Sequence, residues 1–164
     1  MDVGHYLRDK TPVRGRFTYL YVVIDIYSRY VVGWLLAERE CALLAHKLLQ
    51  ETCRKYTIVP NQLTIHADRG APMKSKPVEA LLLVLQVTRS HSRPRVSNDN
   101  PYSEAGFKTM KYSASFPERF VTQEEARTFC QDYFVWYNTR HHYTGLGLLT
   151  PEQVHFGEAA QILA

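Results

Sequence analysis

Cysteine is scarce in this chain: Cys41, Cys53 and Cys130 are an odd number, widely spaced, with no C-x-x-C pair. That excludes a disulfide framework and a zinc knuckle, and it points to a reduced, cytoplasmic compartment. No apolar run is long enough to span a bilayer, and the opening MDVGHYLRDK lacks the apolar core of a signal peptide. Internal repeats and low-complexity linkers are also missing. Neither sign of charge dominates: 20 Lys and Arg face 16 Asp and Glu, for a net charge of +4 and a pI near 9.0. The basic surplus permits a nucleic-acid partner without demonstrating one. What remains is 164 residues, 45% hydrophobic and 22% charged, the profile of one soluble globular domain with its own core.

Along the chain, residues 2–8 can form a short strand, followed by a basic turn with Pro12 and Gly15. FTYLYVVIDIYS (17–28) is aromatic and β-branched on both alternating faces, which predicts a strand buried on both sides. After a tight YSR turn, YVVGWLLA (30–37) is its antiparallel partner. A symmetric hairpin about Pro12 and Val13 sets residue 2 opposite residue 23. From Cys41 the apolar period becomes helical through Leu44, Ala45, Leu48, Leu49 and Thr52. QLTIHAD (62–68) is a strand stopping at Asp68-Arg69-Gly70. A helix over 77–86 and an edge strand over 87–92 follow. Thr122 to Glu125 fits a capping box opening a helix to about Asn138, with Phe129, Tyr133, Trp136 and Tyr137 on an aromatic face. Thr150-Pro151-Glu152-Gln153 repeats the start signal for a last short helix. This order of elements gives an α/β domain with a mixed central sheet.

Two acidic positions stand out. SRPRVSNDNP (92–101) is a polar loop running into a helix that opens at Pro101, and Glu104 lies in its first turn. Phe107, Lys108 and Lys111 follow on the same helix face. A carboxylate beside lysines at the mouth of a polar loop suits a metal site handling phosphates, and equally a solvated face with helix ion pairs. Asp68 ends a strand, where open α/β sheets place ligands and where aspartate also serves as a turn-former. The two are separated by 35 residues.

HADRGAPM around Asp68, SNDNPYSEAGFKTMK around Glu104, WYNTRHH (136–142) and GLGLLTPEQVHFG (145–157) together resemble the retroviral-type integrase core. The likeness is closer to transposases of the insertion-sequence-three group. VVIDIYSRYVVGW (22–34) is similar to that family's second and third strands, so the resemblance spans the chain. It implies a ribonuclease-H-like fold, with a five-stranded mixed sheet flanked by helices. It also implies two aspartates and a glutamate holding two Mg2+ (or Mn2+) ions for cleavage and joining of DNA strands. Carboxylate oxygens suit such hard cations. Asp68 matches the second aspartate and Glu104 the glutamate. Asp2 stands in the place of the first, although Met1 and Gly4 depart from the family's W-x-D-I-T pattern. Asp25 matches a different family position, with Arg29 or N–H groups of the YSR turn as its expected partners. A symmetric hairpin sets it within roughly a strand spacing or two of Asp2, so Asp25 is the alternative for the first carboxylate.

By the same resemblance Lys108 and Lys111 contact DNA phosphates, Arg93 and Arg95 grip phosphate, and Asn100 and Ser103 shape the loop. His66 and His91 are possible metal ligands, with His66 read as structural. His141 and His142, adjacent at a helix end, point apart. The expectation is one catalytic-core domain over 1–164, without the family's upstream helix-turn-helix segments. Its partners are transposon-end and target DNA and further copies of itself, with no membrane, in a bacterial cytoplasm at the nucleoid. The alternative is an inactive remnant that keeps the fold and binds DNA non-specifically.

Overall fold

The computed structural model describes residues 1–10, 17–67, 71–91, 101–117 and 119–162. Five strands form one sheet in the order β3-β2-β1-β4-β5. They are β1 (Asp2–Lys10), β2 (Phe17–Ile24), β3 (Val31–Ala37), β4 (Thr64–Ala67) and β5 (Thr88–His91). β1 to β3 are a pair of antiparallel hairpins, whereas β4 lies parallel to both β1 and β5.

β2 organises the interior, as its composition predicts, because all of Leu20 to Ile24 is buried. Leu20, Val22 and Ile24 pack on one face with α3 (Pro101–Lys111) and α4 (Gln123–Thr139), through Phe107, Met110, Tyr133 and Phe134. Tyr21 and Val23 pack on the other with α1 (Ala42–Lys55) and α2 (Lys76–Val84), through Leu48, Leu49, Val78 and Leu82. The period-two alternation of side chains feeds two cores from one strand, each buried aliphatic contributing about 1.5–3 kcal/mol. α1 seats closely on β3 at Gly33, where an added Cβ would collide with the Thr52 hydroxyl. Cys41, just before α1, donates its N–H to Tyr21 Oη at 2.9 Å, so a side chain of β2 caps that helix start.

The helix-start signals operate, although at Thr122 the expected capping box is half made, because the glutamate takes the N–H one residue before the N-cap. Glu125 N–H donates to Thr122 Oγ1 at 3.0 Å, and the Glu125 carboxylate accepts the Val121 N–H at 2.7 Å. Thr150 and Gln153 form a reciprocal capping box opening α5 (Pro151–His155). A further short helix, α6 (Ala159–Ile162), follows. The aromatic face of α4 is only partly inward: Tyr133 and Tyr137 are buried, but Trp136 is 39% exposed.

The β1–β2 register departs from the symmetric expectation. Lys10 pairs with Phe17 and Asp9 with Thr18, and an irregularity between Tyr6 and Asp9 shifts the ladder by one residue. The Lys10–Phe17 pairing alone would set Asp2 opposite Asp25, and the irregularity takes one residue back, so Asp2 lies opposite Ile24, not Val23. A one-residue slip exchanges sheet faces. Position 2 therefore belongs to the face covered by α3 and α4, not to the face covered by α1 and α2.

Candidate active site

α3 begins at Pro101, where its missing N–H costs nothing. Ser103, Phe107 and Met110 turn inward, with exposures of 2%, 6% and 1%. Glu104, Lys108 and Lys111 face solvent. Glu104 sits in the first turn, where the helix dipole favours a carboxylate, and the two lysines sit in the last turn, where it favours cations. Gly106 lies over the sheet: a Cβ there would meet Ile24 Cδ1 at 3.4 Å, an ordinary contact. The strand residue under α3 is thus the one opposite position 2.

β4 reaches the same region from the other side of β1. His66 pairs with Asp2 and Ala67 with Val3, both in parallel register. Asp68 is the next residue and lies outside the described residues, as do Arg93, Arg95 and Asn100. Of Asp2, only the backbone position is described. Ala67 pairs with His91 at the end of β5. His66 Nδ1 lies 2.7 Å from Ser90 Oγ, its neighbour across β4 and β5, in keeping with a structural role. Among the described residues, no group of three or more His, Cys, Asp or Glu gathers as a metal site. The structure brings the backbone at position 2, the end of β4 and the first turn of α3 into adjacent elements. The donor set they carry, all carboxylate oxygen, fits a hard divalent cation.

Asp25 is engaged elsewhere. Its Oδ1 accepts the Tyr27 N–H at 3.1 Å, and its Oδ2 accepts the Ser28 hydroxyl at 2.6 Å. His155 Nδ1, from α5, lies 3.0 Å from the same Oδ2. Burial pushes the Asp25 carboxyl up, but the bonds from Ser28, His155 and the Tyr27 N–H outweigh it and hold the group below its ordinary value. The expected turn N–H partner is found. Arg29 is not the carboxylate's partner: its Nη1–H donates to the Ile26 carbonyl.

Several residues with no assigned role in the sequence converge on this β2–β3 turn. His155 stacks on Tyr30, with centroids 4.5 Å apart and an 8° interplanar angle. Asn138, near the end of α4, accepts the Val31 N–H at 2.9 Å and donates to the Val31 carbonyl at 3.1 Å, imitating a neighbouring strand. The Arg29 guanidinium carbon stands 3.8 Å from the Tyr102 ring centroid. The histidines after α4 are likewise structural: His141 stacks on Tyr137, and His142 Nδ1 lies 2.6 Å from the Leu148 carbonyl oxygen. A cleft of about 470 Å³ runs along β3 between α1 and α4, with Trp34, Lys55 and Asn138 in its lining and no residue of α3. No described helix is long and apolar enough to cross a membrane.

Comparison with known proteins identifies a family. Residues 1–97 match a family model described as Integrase core domain, and residues 85–151 match a second model of the same description. The chain is 30% identical over 150 residues to the transposase for insertion sequence element IS904 of Lactococcus lactis, covering 90% of this chain and 59% of that protein. It is 32% identical over 136 residues to transposase InsF for insertion sequence IS3A of Escherichia coli, covering 82% of this chain and 47% of that one. It therefore spans about half the length of these relatives. The crystal structure of the catalytic core domain of BIV integrase superposes with a TM-score of 0.65 at 16% identity, covering 99% of this chain and 98% of that one. At that identity the likeness speaks for the fold, an α/β ribonuclease-H-like architecture. The chain belongs to the integrase core domain family, as a catalytic core close to the transposases of IS3-type insertion sequences.

Proposed function

We propose that this chain is the catalytic domain of a transposase that cleaves DNA and joins its strands, with Asp2, Asp68 and Glu104 as the carboxylates holding Mg2+ or Mn2+. The observation that carries the reading is the register. Position 2 lies opposite Ile24, directly under α3, and beside the last residues of β4. Two acidic positions far apart in sequence thus belong to neighbouring elements, β1 and α3, and Asp68 follows in sequence on β4, the strand beside β1.

Divalent cations, when bound, supply charge stabilisation for in-line displacement at a phosphodiester. The chain's own residues bind and orient. Glu104 presents a carboxylate from a helix start, and Lys108 and Lys111 offer positive charge to the DNA backbone one turn and two turns further along. Arg93, Arg95 and Asn100, which precede α3 in sequence, are the further phosphate contacts of this reading. A DNA 3′-OH as nucleophile gives strand transfer, and water gives cleavage. Transposon-end and target DNA are the substrates, the chain supplies one catalytic-core domain, and the working form is a homo-oligomer.

The test is metal-dependent nicking and joining of DNA by the wild type and by Glu104→Gln. A single missing carboxylate oxygen should reduce turnover by at least about a hundred-fold, comparable to loss of one preorganised charge-stabilising group. No activity in either protein, with DNA binding retained, supports the inactive DNA-binding remnant instead, and equal activity in the two counts against an enzyme that works through Glu104. Asp2→Asn should behave as Glu104→Gln does.

A further inference from the structure

Arg29 occupies the left-handed region, with φ +64, where glycine is at ease and a Cβ is crowded. Turn geometry alone does not call for arginine there, so its side chain must account for it. That side chain does two things. It donates to the Ile26 carbonyl within its own turn, and it lays its guanidinium 3.8 Å from the Tyr102 ring centroid. Its charge also reaches Tyr137 of α4: burial, then Tyr143, push that phenol up, and Arg29 opposes them.

Tyr102 is the second residue of α3, two before Glu104. The first turn of a helix lacks intrahelical partners for its N–H groups and frays more readily than the middle. Ser103 buries the inner side of that turn, but Tyr102 is 38% exposed, so burial does not hold the outer side, which carries Tyr102 and Glu104. The base of the tether, by contrast, is firm. Ser28 is fully buried, Asp25 is tied to His155, and Val31 is tied to Asn138. Arg29 therefore connects a rigid turn to the part of α3 most able to move.

We infer that Arg29 is a positioning residue whose guanidinium, set over Tyr102, fixes the first turn of α3 and so holds Glu104 at the carboxylate cluster. The inference rests on the reading of Glu104 as a metal-binding carboxylate. It concerns placement and not chemistry, since Arg29 itself touches neither substrate nor metal.

Two measurements test it: Mn2+ affinity, followed by paramagnetic broadening of the protein's resonances, and the kcat and KM of metal-dependent DNA joining. Arg29→Gly keeps the turn conformation, and Tyr102→Leu removes the ring. Each should weaken Mn2+ binding several-fold and lower kcat by about ten- to a hundred-fold, the scale expected from small misplacement of a reacting group, while KM for DNA stays within about two-fold. Tyr102→Phe, which retains the ring, should restore both. If Glu104→Gln loses Mn2+ affinity while Arg29→Gly and Tyr102→Leu match the wild type, the positioning role is wrong and the metal reading stands. A change confined to KM makes Arg29 a DNA contact and also overturns the inference. If Glu104→Gln leaves Mn2+ affinity unchanged, the metal reading itself fails and takes the inference with it. Should Arg29→Gly not fold, Tyr102→Leu, at a part-exposed ring, decides alone.

Discussion

His155 Nδ1 and Asp25 Oδ2 lie 3.0 Å apart, joining α5 to the turn that follows the central strand across 130 residues of sequence. The Asp25 carboxyl is held below its ordinary value despite the opposing effect of burial. A carboxylate with a lower pKa folded than unfolded stabilises the fold above its unfolded value, near pH 4, and that contribution disappears as pH falls through the folded value. Denaturant unfolding followed from pH 7 down to pH 2 should therefore show an acid limb that is shallower in Asp25→Asn. At pH 7 the variant should be about 1–2 kcal/mol less stable, from the weakened bonds to Ser28 and His155. Identical pH profiles for the two proteins would remove the carboxylate from the account of stability.

Asn138 gives a second, independent anchor. Both of its amide hydrogen bonds go to Val31, on the edge strand β3, where Val31 is buried and Asn138 itself is only 9% exposed. Asn138→Ala leaves a backbone donor and a backbone acceptor without partners in a largely dry position. The expected loss is about 2–4 kcal/mol, or roughly 4–12 °C in Tm for a chain of this size. Asn138→Asp keeps the acceptor and loses the donor, so it should fall between the alanine variant and the wild type. Thermal unfolding of the three proteins checks that order.

What the sequence made legible is local, and what it hid is long-range. Leu20 to Ile24 reveal a doubly buried strand because every residue is apolar, whichever way it points. Thr122, Pro101 and Thr150 mark helix starts because capping chemistry acts within four residues. The slip that sets Asp2 opposite Ile24 combines the Lys10–Phe17 pairing with an irregularity between Tyr6 and Asp9, which no alternation pattern announces. It decides which sheet face position 2 belongs to. The partners of Asp25 and Val31 are 130 and 107 residues away, beyond any spacing rule. Arg29 shows nothing unusual in sequence, because the sign of φ is a property of the folded turn. For the candidate site itself, Glu104 and the lysines of α3 were readable from helical period, whereas the proximity of α3 to β1 required the fold.

Lys108 and Lys111 supply the last prediction. They lie three residues apart on α3, both facing solvent, on the side of the sheet where position 2 is found. If they neutralise phosphates, each contact releases condensed counterions, and the slope of log K against log salt falls by about 0.9 for every contact removed from duplex DNA. Lys108→Gln and Lys111→Gln should each flatten that slope by nearly one, and the double variant by nearly two, with equal effect on unrelated DNA sequences. Lys47 makes an internal control. It lies on α1, over the opposite face of the sheet, and its ammonium is 3.8 Å from Glu51. Lys47→Gln should leave the slope where it was. Binding measured between 50 and 200 mM salt would separate the cases: a double variant on α3 with the wild-type slope would place the DNA elsewhere on the molecule, and the α3 lysines would then be the ordinary solvated face that their spacing also allows.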